Sequence, residues 1–100
     1  MPKTLEDFKK QFPKAWNAYE QLKNACDKEG PLDARTAELI KIGVSAALQH
    51  EGGVVAHVSQ ARKAGAGNAE IYHAILLATG LAGFPAVLAG IGTAKKYLGA

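Results

Sequence analysis

Residues 38–57 are ELIKIGVSAALQHEGGVVAH, a segment with a carboxylate at its start and an imidazole at its end. Glu38 lies on an amphipathic helical pattern, and an apolar stretch follows until Gly52 and Gly53 interrupt it just before His57. The sequence therefore predicts two successive helices, 34–49 and 54–64, at the centre of the fold. A carboxylate and an imidazole carried on such helices are groups that general acid–base catalysis uses.

The remainder of the chain has a helical pattern as well. Alanine, leucine, lysine, glutamate and glutamine dominate, and sustained β-branched alternation is absent. Prolines, glycines and an N-cap at Asp33 divide the sequence into segments. The helices predicted outside the central pair are 4–12, 13–29, 68–82 and 85–98. We therefore expect one all-α domain over residues 1–100, an antiparallel bundle of about six helices.

Composition and charge exclude several classes of function. Hydrophobic residues make up 48% of the 100 residues, which is typical of a globular protein. The net charge of +3 comes from basic residues scattered among acidic ones, so we expect no nucleic acid partner. The single cysteine, Cys26, excludes an intrachain disulfide, fits the reducing cytoplasm and is expected to be a small buried side chain.

Residues 74–94 contain no charged side chain, a length that is also typical of a transmembrane helix. Glycines and Pro85 interrupt this stretch, and a turn at 83–85 predicts two shorter helices, so we expect no membrane partner. Helices that are apolar on most sides are usually buried. Because so short a chain offers little cover, we expect a homo-oligomer, a trimer or larger.

Several short segments, taken in order, resemble the carboxymuconolactone decarboxylase family, which includes the alkyl hydroperoxidase D-like proteins. The segments are LDARTAELI at 32–40, HV at 57–58, AGA at 64–66, EI at 70–71 and GFPA at 83–86. The resemblance covers roughly residues 13–98. It implies an alkyl hydroperoxidase D-like helical bundle that assembles as trimers or hexamers.

The peroxidase branch of that family has a redox site made of a glutamate, a CxxC pair and a histidine. The resemblance aligns the glutamate with Glu38, the two cysteines with His50 and Gly53, and the histidine with His57. Neither replacement can supply a thiolate that attacks peroxide, and Cys26 has no resolving partner. An alkyl hydroperoxidase-like antioxidant function is therefore disfavoured. The decarboxylase branch, which lacks the CxxC and keeps the histidine, fits better.

The resemblance to that branch implies a lyase that removes CO2 from a small carboxylated lactone or related acid, as in aromatic catabolism. His57 is the candidate acid that protonates carbon, Glu38 orients or recharges it, and His50 is a third candidate catalytic residue. A small-molecule acid is then the expected partner, and no cofactor is expected. A non-catalytic oligomeric protein that binds small molecules is an alternative that the sequence does not separate from the lyase.

Each candidate residue also has a purely structural interpretation. Glu38 has the spacing of a solvated ion pair with Arg35 or Lys41, and His57 fits a core or interface histidine bonded to a backbone carbonyl. His50, His57 and a carboxylate are the residue types of a two-histidine, one-carboxylate metal site. The segment HEGGVVAH lacks the spacing of the zinc proteases, however, and no metal is expected.

Helix geometry alone places His57 away from Glu38. From Glu38 to the two glycines is about 14 residues, or roughly 21 Å of helix, whereas His57 lies only about one turn beyond them. A simple hairpin that turns at Gly52 and Gly53 puts His57 opposite residues 46–50. The contact between Glu38 and His57, in a largely apolar pocket close to a subunit boundary, is therefore implied by the resemblance and not by the spacing.

Overall fold

The computed structural model describes residues 3–99, and over that range it contains helices and no strand. This confirms the all-α prediction. The chain divides into two compact units, Met1–Pro31 and Leu32–Ala100. The first unit contains the helices α1 (Lys3–Gln11) and α2 (Pro13–Lys28). The second contains α3 (Ala34–Ala47), α4 (Glu51–Lys63), α5 (Asn68–Leu76), α6 (Thr79–Ala82) and α7 (Phe84–Leu98).

In the first unit, both helices are amphipathic and neither has a buried residue. Pro13 begins α2 as predicted, because proline lacks the N–H that would be unpaired in a first turn. The rings of Phe8 and Phe12 lie 5.2 Å apart between centroids. Cys26 is exposed, so the expectation that it is buried was wrong. Helix α2 is amphipathic, but Tyr19, Leu22 and Cys26 on its apolar stripe are exposed.

The second unit has a core to which α3, α4, α5 and α7 all contribute. Helix α3 packs against the other three, and its interface with α4 is the most extensive. The prediction that these two helices form the centre is thereby confirmed for this unit. The largest fully buried side chains are Ile42, Val54, Val58, Ile71, Ile75 and Val87.

The turn between α3 and α4 lies earlier in the chain than predicted. Gln49 has a φ of 55°, and α4 begins at Glu51, so Gly52 and Gly53 lie in its first turn and do not form the break. The side chain of His50 caps this helix by accepting the Gly53 N–H at 2.8 Å. Histidine is not among the residues that usually signal an N-cap, which explains why the predicted start was three residues late.

The helix predicted over 68–82 is interrupted at Leu77 and Ala78. The Thr79 hydroxyl donates to the Leu76 carbonyl at 2.6 Å, and the Ala78 N–H bonds to the Ile75 carbonyl three residues back. A side-chain hydroxyl that competes for a helix carbonyl in this way locally loosens the helix. The predicted turn at 83–85 is present, with Gly83 at a φ of 87°.

The uncharged stretch 74–94 is only partly covered within the second unit. Its buried side chains are mostly small or β-branched, whereas its larger ones remain exposed, Leu81 to 91%. No helix among residues 3–99 is long and apolar enough to cross a membrane. The buried members are Ile75, Ala78, Ala86, Val87 and Ala94, and the exposed ones include Leu76, Leu77, Leu81, Phe84 and Leu88.

Candidate functional site

The side chains of Glu38 and His57 meet across the interface between α3 and α4. Glu38 Oε1 lies 3.1 Å from His57 Nδ1, and the two side chains are 13% and 29% exposed. The predicted contact is confirmed, and the hairpin estimate that separated the residues was wrong. With the turn at 48–50, Glu38 lies nine residues before the end of α3 and His57 six residues after the start of α4. Measured from the turn, the positions of Glu38 and His57 along their helices then differ by three residues, or roughly 4–5 Å. Two long side chains can span that offset.

Two further contacts hold the helix that carries Glu38. At its start, Asp33 accepts the Thr36 N–H at 2.7 Å, and this hydrogen bond lowers the pKa of the Asp33 carboxyl below its ordinary value of 3.8. Arg35 Nη1 donates to both oxygens of Glu70 on α5, at 3.2 and 2.9 Å. The cap fixes where α3 begins, and the ion pair ties it to α5.

The second oxygen of Glu38 faces a lysine. Lys41 Nζ lies 3.5 Å from Glu38 Oε2, one turn along the same helix. The structural interpretation of Glu38 as an ion-pair partner therefore holds together with its contact to His57, but Arg35 is engaged by Glu70. The carboxylate is bound on both sides, by the lysine at one oxygen and by the imidazole at the other.

The contact with Glu38 determines which nitrogen of His57 carries a proton. An ionised carboxylate only accepts hydrogen bonds, so His57 Nδ1 is the donor. Nε2 is then an acceptor when the ring is neutral and a donor when it is charged. Glu38 and His57 thus form a carboxylate–imidazole dyad of the kind that carries out general acid–base catalysis.

The Nδ1 atom of His50 accepts a hydrogen bond, whereas that of His57 donates one. His50 Nδ1 accepts the backbone N–H of Gly53 at 2.8 Å, so the neutral ring carries its proton on Nε2. The ring is exposed and lines a cavity of about 230 Å³ between the start of α4 and helix α7. Gln49, Glu51 and Thr93 contribute polar side chains to the same cavity.

Gly53 leaves no room for a side chain. A Cβ atom there would lie 2.5 Å from His50 Nδ1 and 2.7 Å from Ser45 Oγ, and Ser45 itself is buried. Because atoms do not approach so closely, the present position of the His50 ring requires glycine at 53. The two positions that the resemblance aligns with cysteines are therefore physically coupled.

A larger, apolar cavity of about 330 Å³ lies on the other side of α3. Its walls come from α3, α5 and the segment through α6, including Leu39, Val44 and Leu77. Glu38 and His57 line neither of these two cavities, and the expected apolar pocket around them, close to a subunit boundary, stays a prediction. Among residues 3–99, no three metal-ligating side chains cluster closely enough to hold an ion.

Lys41 was named from its spacing of three residues as a possible ion-pair partner of Glu38, and the contact is present. One contributor to this region was missed. Ser45 gave no signal, because its proximity to Gly53 depends on how α3 and α4 pack.

Comparison with known proteins agrees with this fold. The model of the carboxymuconolactone decarboxylase family matches residues 11–96, and the chain belongs to that family. A crystal structure of the apo form of a carboxymuconolactone decarboxylase family protein from Legionella pneumophila is similar, with a TM-score of 0.85 and 25% sequence identity. The match covers 96% of this chain and 86% of that one. No curated protein matches the chain significantly.

Proposed function

We propose that this protein is a carboxymuconolactone decarboxylase-like lyase that acts on a small carboxylated lactone or a related acid. The observation that carries the proposal is the hydrogen bond between Glu38 and His57, which presents one imidazole nitrogen to a ligand. Membership of the family supports the same assignment. The absence of cysteine at 50 and 53 argues against peroxide reduction.

The chemistry begins with loss of CO2 from a carboxylate placed beside a conjugated carbonyl. The carbon–carbon bond breaks, and its electron pair moves into the carbonyl to give an enolate. His57 Nε2 then donates a proton to carbon, and the carbonyl forms again. The ring regains that proton from water, so each turnover consumes one proton and releases one CO2. Throughout, Glu38 keeps the proton of Nδ1 in place and the ring in one orientation.

The assembly belongs to the same proposal. Exposed leucines on α5 and α6, with the apolar cavity beside α3, form a surface that a second copy of the chain would cover. The resulting assembly would be a homo-oligomer, a trimer or a hexamer. We place the protein in the cytoplasm and in the degradation of aromatic compounds.

The test is CO2 release from a panel of lactone carboxylates by the wild-type protein and by His57→Gln. Glutamine preserves polarity but transfers no proton, so we expect turnover to fall by about 10²- to 10⁴-fold. His73→Gln is the matched control, because His73 is an exposed histidine on α5 that lines neither of the two cavities. Equal turnover in His57→Gln and wild type rejects the role of the dyad. Ligand binding without turnover on any member of the panel favours the non-catalytic binding protein.

A further inference from the structure

The contacts of His57 on α4 and of His50 at the N-cap of that helix favour opposite tautomers. His57 donates through Nδ1 to Glu38, whereas His50 accepts at Nδ1 from the Gly53 amide. A neutral His57 therefore offers a lone pair at Nε2, and a neutral His50 offers a proton at Nε2. The His57 ring is therefore suited to exchanging a proton. The His50 ring is suited to donating a hydrogen bond without losing its proton.

We propose that His50 is a further catalytic residue, the hydrogen-bond donor to the carbonyl oxygen of the substrate on which the enolate charge develops. The oxygen would be bound in the cavity of about 230 Å³ that His50 lines. Thr93 and Gln49 add polar groups there, while Ala46, Val54 and Ala86 supply apolar walls. The inference rests on the proposed function for the chemical class of the ligand.

The electron flow of the proposed reaction explains what such a donor does. When the bond to CO2 breaks, the electron pair is delocalised onto the carbonyl oxygen, and the negative charge is greatest there before carbon is protonated. A donor already aimed at that oxygen stabilises the transition state more than the ground state. Because the Gly53 N–H occupies Nδ1, the His50 proton does not move to that nitrogen and no reorientation is needed.

The proposal requires one substrate to reach both histidines, with its carbonyl oxygen at His50 and its reacting carbon at His57. His50 is the N-cap and His57 lies seven residues further along the chain, which corresponds to about 10 Å of helix rise. The His50 ring lies over the first turn of α4, where it accepts the Gly53 N–H. Gly53 is a positioning residue, since any side chain there would displace the ring.

The test uses tetronate, the anion of a five-membered enol lactone, as a stable probe that resembles a lactone enolate and releases no CO2. Long-range proton–nitrogen NMR spectra of ¹⁵N-labelled protein report the tautomer of each histidine. We expect a protonated Nε2 at His50 and a protonated Nδ1 at His57. We also expect saturable shifts of the His50 Nε2 signal as tetronate is added.

The matched variants are His50→Asn and His73→Asn. Asparagine is a good N-cap, so it preserves the hydrogen bond to the Gly53 amide while it withdraws the donor from the cavity. We expect His50→Asn to unfold at nearly the wild-type temperature and to bind tetronate about 10- to 100-fold more weakly, the loss of one hydrogen bond to a charged oxygen. His73→Asn should bind as the wild type does. Glu51→Gln should bind more tightly, because it removes a negative charge from the wall of the cavity.

The outcomes separate this inference from the proposed function. A proton on Nδ1 of His50, or wild-type tetronate affinity in His50→Asn, overturns the role of His50 whatever the lyase assay shows. Tetronate binding that depends on His50, in a protein that releases no CO2 from any lactone carboxylate, supports His50 as a hydrogen-bond donor to a bound ligand but rejects the lyase and with it a catalytic role for His50. If tetronate binds neither the wild type nor His50→Asn, the role of His50 is also overturned.

Discussion

Glu38 and His57 are 19 positions apart in the sequence, and their side chains lie 3.1 Å apart across two helices. A short turn at 48–50 makes this contact possible, because it allows α4 to begin three residues earlier than the glycines suggest. The same turn places Ser45 beside Gly53, so contacts along α3 and α4 occur in reverse order and the helices are antiparallel. The candidate site is thus a consequence of where one helix begins.

Removing the Glu38 carboxylate should allow His57 to adopt both neutral tautomers. In Glu38→Ala the ring loses its acceptor at Nδ1, and we expect ¹⁵N spectra to show a mixture of tautomers where the wild type shows one. Turnover of a lactone carboxylate should fall by about 10- to 100-fold, as for other partners that orient a reactive imidazole. Lys41→Arg, which keeps the positive charge beside Glu38, is the control. An unchanged His57 spectrum in Glu38→Ala would show that another group holds the ring.

The protein should have no thiol-dependent peroxidase activity. Cys26 is exposed and lies outside the aligned redox positions, which are His50 and Gly53. We expect no hydroperoxide turnover with a dithiol reductant, in the wild type or in Cys26→Ser. Robust turnover in the wild type that is lost in Cys26→Ser would contradict this.

Light scattering should show a homo-oligomer of three or more chains at micromolar concentration. Leu77 and Leu81 are 67% and 91% exposed next to the apolar cavity, a surface that favours association. Leu81→Lys should reduce the mass, because it places a charge on that surface. Gln60→Lys adds the same charge at an exposed polar position and should leave the mass unchanged. A monomeric wild type is the contrary result.

Acid should weaken the cap of α3. The pKa of Asp33 is lowered in the folded chain by the Thr36 N–H, so its ionised form stabilises the fold above its ordinary pKa of 3.8. This contribution is lost as the pH falls through the lower, folded-state pKa. Asp33→Asn keeps a capping oxygen but does not titrate. The difference in melting temperature, wild type minus Asp33→Asn, should therefore be larger at pH 7 than at pH 2. A difference that does not change with pH would contradict the assignment.

The turn before α7 should tolerate only glycine. Gly83 has a φ of 87° and a ψ of 164°, a region that side chains strongly disfavour. We expect Gly83→Ala to lower the free energy of unfolding by about 1–3 kcal/mol in denaturant titrations. Gly80→Ala is the control, since its Cβ would meet nothing within 4 Å and it lies within α6, where alanine is the better helix former. Equal stability of the two variants would contradict this account.

Local signals in the sequence account for much of the fold. Proline at 13, the cap at Asp33 and the glycine at 83 mark helix boundaries through backbone chemistry that does not depend on distant residues. The prediction was wrong at the start of α4. There a histidine caps the helix and the non-glycine Gln49 adopts a positive φ, a combination that tertiary packing selects over local preference.

The candidate site was predictable only in part for the same reason. Residue types identified Glu38, His50 and His57, and only the resemblance to the family paired the first with the last. The spacing argument separated them because it used the wrong turn. The closeness of Ser45 to Gly53, and the cavity beside His50, arise from the packing of α3, α4 and α7 and have no counterpart in a local pattern.

The crowding at Gly53 also constrains how such a site can change during evolution. Cysteine at 53 beside the existing His50 would overfill the first turn of α4, while removal of the histidine alone would leave the Gly53 amide without its cap. A direct exchange of either residue alone for cysteine should therefore give a less stable protein. Positions 50 and 53 should consequently be inherited as a pair among relatives with this turn.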